Sequence, residues 1–121
     1  MARWPTLVPL GNLAVTAAGS TVLLSANCGP LGGQIGAPGS GAGVPGTPFR
    51  QLILCNKGAG NAFLLPRGNT ASANPTTIFA IIPSGGMIPF PHGLPFENGI
   101  LPENFCVDGD AACTVYGCGI L

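Results

Sequence analysis

Residues 50–66, RQLILCNKGAGNAFLLP, decide the fold. Two short apolar runs, Gln51–Cys55 and Ala62–Leu65, flank the glycine-containing link Asn56–Asn61. Each run has the length of a strand, and Gly58 and Gly60 supply the backbone freedom that a chain reversal needs. The spacing predicts a β-hairpin with a turn longer than the two-residue minimum. Side chains alternate along a strand, so Leu52 and Leu54 share one face and Ile53 and Cys55 the other. Both sets are apolar, which predicts cover from two directions: a second sheet on one side, a loop or another subunit on the other.

Outward from this centre the chain keeps the same grain. Residues 68–76, GNTASANPT, are a polar turn segment, and Thr77–Ile82 is a strand rich in β-formers that Pro83-Ser84-Gly85-Gly86 ends. Met87–Phe96, MIPFPHGLPF, is strongly apolar, yet its prolines at 89, 91 and 95 forbid a central strand and allow an edge. Such a ribbon suits either a surface that another chain covers or a lid over its own core. Asn98-Gly99 is a turn pair. Asn104–Val107 reads as a short strand, Asp108-Gly109-Asp110 as a turn, and Ala112–Cys118 as a last strand. Toward the N-terminus, residues 12–27 hold two strands, one around Leu13 and Val15 and one over Thr21–Ser25, separated by Ala18-Gly19-Ser20.

Two stretches differ in kind. Residues 29–47, GPLGGQIGAPGSGAGVPGT, are a Gly/Pro-rich insert whose sizeable apolar residues are Leu31, Ile35 and Val44. It matches neither the P-loop nor the dinucleotide-binding glycine pattern. Residues 1–11 form an N-terminal arm carrying Trp4 and Leu7, interrupted by prolines and too short in its apolar run for a signal segment. Residues 12–121 are then one domain.

No stretch free of Gly and Pro shows a helical apolar stripe. Seven to nine short strands separated by turns predict an all-β, antiparallel β-sandwich or jelly-roll-like domain with long Gly/Pro-rich loops. The 121 residues hold 46% apolar residues and only four basic and four acidic side chains. So few charges, with no net charge, suit a subunit whose surface is covered in an assembly better than a solitary soluble monomer. Arg3, Arg50, Lys57 and Arg67 form no run, which opposes nucleic-acid binding and electrostatic membrane binding. No segment reaches the length of a membrane span.

The residues that could carry chemistry are sparse. Glu97, Glu103, Asp108 and Asp110 are the acids and His92 is the sole histidine. The D-G-D triplet has the composition of a turn and is too short for a calcium loop. Cys106, Cys113 and Cys118 lack the paired C-x-x-C spacing of a zinc knuckle. Cys106 and Cys113 flank the Asp-Gly turn, where two buried thiols are expected and a disulfide is the alternative. Catalytic, metal and cofactor residues are expected to be none, and the chain is expected not to be an enzyme.

The stretches AVTAAGSTVLLS (14–25), LILCNKGAGNAFLLPRGNT (52–70), GGMIPFP (85–91) and NFCVDGDAACTVYGCGIL (104–121) together resemble small β-sandwich structural proteins of tailed bacteriophages. The resemblance covers roughly residues 12–30 and 50–121 and marks no catalytic residue. It implies a virion structural protein, assembled in the host cytoplasm, that decorates or cements the head shell. Its partners would be the major capsid protein and copies of itself, as a trimer. A neck, tail or head-fibre component is the alternative within the same setting, and a ligand-binding β-sandwich module is the alternative outside it. The residues expected at contacts between subunits are Trp4, Leu7, Leu31, Ile35, Val44, Met87, Ile88, Phe90, Leu94 and Phe96.

Overall fold

Leu52, Leu54 and Asn56 are fully buried while Gln51, Ile53 and Cys55 are half-exposed, the period-two pattern that the central stretch predicts. A computed structural model describes residues 7–26, 48–91 and 99–121. They form nine strands: β1 (Leu7–Pro9), β2 (Leu13–Val15), β3 (Val22–Leu23), β4 (Gln51–Asn56), β5 (Ala62–Pro66), β6 (Ala80–Ile82), β7 (Met87–Phe90), β8 (Phe105–Gly109) and β9 (Cys113–Ile120). Every pairing between them is antiparallel.

The strands make two sheets. The first has the order β1-β9-β4-β7, with β2 also paired to β9; the second has the order β3-β8-β5-β6. β1 and β2 lie end to end along β9, β1 against Cys118–Ile120 and β2 against Cys113–Val115. The Leu10 amide reaches the Gly117 carbonyl at 2.9 Å between them, so the two are one edge strand with a break. Residues 7–9 of the N-terminal arm thus enter the sheet. β7, the proline-bearing ribbon, is the opposite edge, as its prolines require.

The central stretch is not a hairpin. β4 pairs with β9 and β7, whereas β5 pairs with β8 and β6 in the other sheet. The link 57–61 is therefore an arch that carries the chain across the sandwich. Its glycines serve close approach rather than a tight turn: a Cβ on Gly58 would clash with Cβ of Cys113. Asn56, at the foot of the arch, donates its side-chain amide to the Gly60 carbonyl at 2.7 Å and to the Ile82 carbonyl at 3.0 Å. It thereby ties the arch to β6.

The turn after β8 is likewise an arch, and this separates Cys106 from Cys113. Cys113 points into the core from the first sheet, while Cys106 pairs in register with outward-facing Leu65 on the second. The two thiols lie on opposite sides of the second sheet and remain free. Asp108 and Gly109 also belong to β8, so the turn starts later than the D-G-D triplet suggests.

The core lies between the sheets and is almost wholly aliphatic, with Leu10, Leu13, Leu24, Leu52, Leu54, Leu64, Ile82 and Ile100 fully or nearly fully buried. Phe49 is fully buried and its ring lies on Gly119, where any Cβ would collide with it. Paired backbone bonds between Phe49 and Ile100, at 2.8 and 2.6 Å, hold the lead into β4 against the lead into β8. Between the edges β6 and β7 the rings of Phe79, Phe90 and Phe105 meet at centroid distances of 5.4–6.2 Å. Tilted and edge-on aromatic packing of this kind joins the two sheets where no backbone bond can.

Candidate interaction surface

The two outer faces of the sandwich are unlike each other. On the second sheet, Phe63, Leu65, Cys106 and Asp108 face outward, yet Leu65, Cys106 and Asp108 are buried. Two loops lie over them, 16–21 and 67–74. Asp108 holds both. Its Oδ1 accepts the Gly19 amide and its own neighbour's, Gly109, each at 2.8 Å, and its Oδ2 accepts the Ala71 amide at 2.8 Å. A buried carboxylate is costly unless its lone pairs are met, and here backbone donors meet them. The Cys106 thiol adds weak bonds to the carbonyls of Pro66 at 3.4 Å and Asn69 at 3.6 Å. Burial pushes this thiol's pKa up, and the Asp108 charge adds to the rise, against backbone hydrogen bonds from Asn69 and Gly68.

Between the loops lies a pocket of about 320 Å³, lined by Ala18, Gly19, Phe63, Ala71, Ser72, Asp108, Gly109 and Asp110. Its volume falls within the range of small-molecule sites. The Asp108 oxygens are already engaged by three backbone amides, so Asp110, which is exposed, is the acid left to meet a ligand.

Among the described residues, the outer face of the first sheet is poor in charge. Register places its side chains in rows across the strands. Leu7, Ile120 and Gln51 form one row; Pro9, Cys118, Ile53 and Pro89 the next; Tyr116, Cys55 and Met87 the third. The middle of the face is half-buried by its own neighbours, and the flanks stand out, Leu7 at 57% and Met87 at 68% exposure. Gln51 spends its amide on the Pro91 carbonyl at 3.1 Å. Charge appears only at the ends of β4: Arg50 precedes it, and Lys57 follows it, with its ammonium 5.9 Å from the centre of the Tyr116 ring. Burial raises the Cys118 thiol's pKa here.

Of the residues expected at subunit contacts, Leu7 and Met87 lie on this face and are exposed. Ile88 is half-buried and packs on the core, and Phe90, at 6% exposure, is a core residue in the aromatic cluster. Phe90 alternates with Met87 and Pro89 along β7, so one strand supplies both core and surface. Trp4, Leu31, Ile35, Val44, Leu94 and Phe96 lie outside the described residues, as do His92 and Glu97. Ile53, Cys55, Tyr116, Cys118 and Ile120 also lie on the face; the apolar second side of β4 and the alternation in β9 were the signal that could have found them.

Among the described residues, no group of three or more His, Cys, Asp or Glu side chains is placed to hold a metal ion. One carboxylate oxygen of Glu103 is buried without a partner among the described residues. Compared with protein-family models, curated proteins and solved structures, the chain matches none.

Proposed function

We propose that the sandwich is a jelly roll and that the protein is a virion structural subunit, one that decorates or cements the head shell of a tailed phage. Strand order carries this reading. With β1 and β2 taken as one interrupted strand, the described residues form eight strands, and the first, eighth, third and sixth make one sheet. The second, seventh, fourth and fifth make the other, and every link crosses the sandwich except that from β5 to β6. Two interleaved Greek keys of this order define the jelly roll, an architecture shared by viral capsid domains, lectins and cupins.

A fold hosts many functions, so the surface must choose among them. Two features favour a structural subunit: the scarcity of charge, and an apolar sheet face where a solitary protein would place polar residues. The likeness of the sequence to small phage structural proteins points the same way. The role is mechanical: buried area, multiplied by symmetry, supplies the affinity. The test is saturation binding of the purified chain to undecorated head shells of its own phage. Binding should saturate at hundreds of copies per shell. Failure to bind, or a few copies per particle, would move the protein to the neck or tail.

The pocket beside Asp108 favours a second reading, a ligand-binding jelly roll of the lectin kind. Binding of a glycan panel that is lost in Asp110→Ala, with folding intact, would support it over the first.

A further inference from the structure

The outer face of the first sheet is the largest uncommitted feature of the described chain. We propose that it is the surface through which two copies of this chain associate, sheet against sheet about a two-fold axis. The inference stands on the surface alone and does not need the virion reading.

Three observations select a second copy as the occupant. The first is area. The strands of this sheet, about 4.8 Å apart and from three residues in β1 to eight in β9, present a flat area of about 400 Å². A pair of copies would bury about 800 Å² of flat area, and side-chain relief brings the contact toward the roughly 1,000 Å² of a small specific interface. An apolar patch of that size matches the largest that a monomer typically exposes, and such patches are often functional. The second is charge. Among the described residues, Lys57 is the one charge that reaches the face, its ammonium over the Tyr116 ring at one end of β4, and Arg50 precedes the strand at the other end. A nucleic acid or an anionic surface calls for a basic cluster, which two cations at opposite ends of β4 do not make. This chain has the matching charge-poor surface and no net charge to repel its copy.

The third is relief. Across the middle rows, large side chains (Ile53, Tyr116, Met87) stand beside small ones (Cys118, Cys55, Pro89). Ridges next to hollows can interdigitate when the same face is turned upon itself, which is how two sheets pack at about 10 Å. A face that meets its own copy is isologous and closes as a dimer. Arg50 and Lys57 then lie at a solvated rim, the usual place for charge in an interface.

The test uses the full chain. Light scattering after size exclusion should give a dimer, and Ile53→Glu should weaken association roughly a hundredfold or more, because each copy buries an unpaired carboxylate. Circular dichroism of Ile53→Glu should match the parent, since Ile53 is already half-exposed in the single chain. Ile81→Glu, exposed on the other sheet, should leave the dimer intact. If Ile53→Glu does not fold, thiol labelling of the parent decides. Cys55 and Cys118 should react more slowly as protein concentration rises through the dimer range, and in proportion to dimer formed. A monomer with both thiols fast would overturn the proposal, as would a trimer or a dimer indifferent to Ile53→Glu. A monomer with both thiols slow would also overturn it and would assign the cover to this chain's own remaining segments. A dimer that does not bind head shells leaves this proposal standing and removes only the virion reading.

Discussion

Asp108 shows how much one residue can depend on distant chain. In D-G-D it has the composition of a turn, yet it sits in β8 at 1% exposure and accepts amides from Gly19 and Ala71, 89 and 37 residues away in sequence. Nothing local to residue 108 announces those partners, so its burial is illegible before the loops are placed. Asp108→Asn replaces one acceptor oxygen with a donor that faces a backbone amide. The expected cost is about 2–4 kcal/mol in urea unfolding, from a lost charge-assisted bond and an unmet buried N–H. A loss under about 0.5 kcal/mol would show that the loops are held by other means.

The thiols make a second prediction at this scale. Burial raises the pKa of Cys106, Cys113 and Cys118 above the ordinary thiol value of 9.0; the carboxylates of Asp108 and Asp110 add to the rise at Cys113, and that of Asp108 at Cys106. The folded chain therefore holds these protons more tightly than the unfolded chain. That stabilisation is complete below pH 9.0 and is lost as pH climbs from there toward the raised values. Unfolding midpoints measured from pH 8 to 11 should fall, and the fall should be shallower in Cys106→Ala after correction for its own stability loss at pH 7.

At the scale of elements, the alternation of residues 51–56 correctly separates the Leu52/Leu54 face from the Ile53/Cys55 face. What it does not encode is the partner of β4. Glycines at 58 and 60 suit a hairpin turn and an inter-sheet arch alike, and only the passage of the link over Cys113 selects the arch. Phe49 and Gly119 make a comparable pair: the ring occupies the space of the missing side chain. Gly119→Ala should cost about 1–3 kcal/mol by overpacking, and Phe49→Leu in the same chain should recover part of that loss. Edge protection is the other element-level matter. β7 is an edge with Pro89 opposite Ile53, and a proline there denies an incoming strand one donor. Pro89→Val should leave the fold intact and raise the rate of aggregation, followed by turbidity at high concentration.

For the whole molecule, the two outer faces divide the work. Loops pinned by Asp108 close the second sheet, and among the described residues the outer face of the first is poor in charge. If the proposed virion role holds, head shells should saturate at hundreds of copies and bind with little dependence on salt, because the chain carries only four basic and four acidic side chains. A steep salt dependence would point instead to a contact made through the exposed Arg50, Lys57, Arg67 or Asp110.

Composition and alternation by themselves determine that this chain is all-β and antiparallel, with a proline-bearing edge and a surface nearly free of charge. These properties follow from local side-chain periods, from the missing amide of proline and from residue counts. Tertiary structure alone decides which sheet each strand joins, that residues 50–66 cross the sandwich instead of folding back, that Cys106 and Cys113 lie apart, and that Phe90 is core while Met87 is surface. Each of those depends on contacts between segments far apart in the chain, and a period of two has no means of naming its partner.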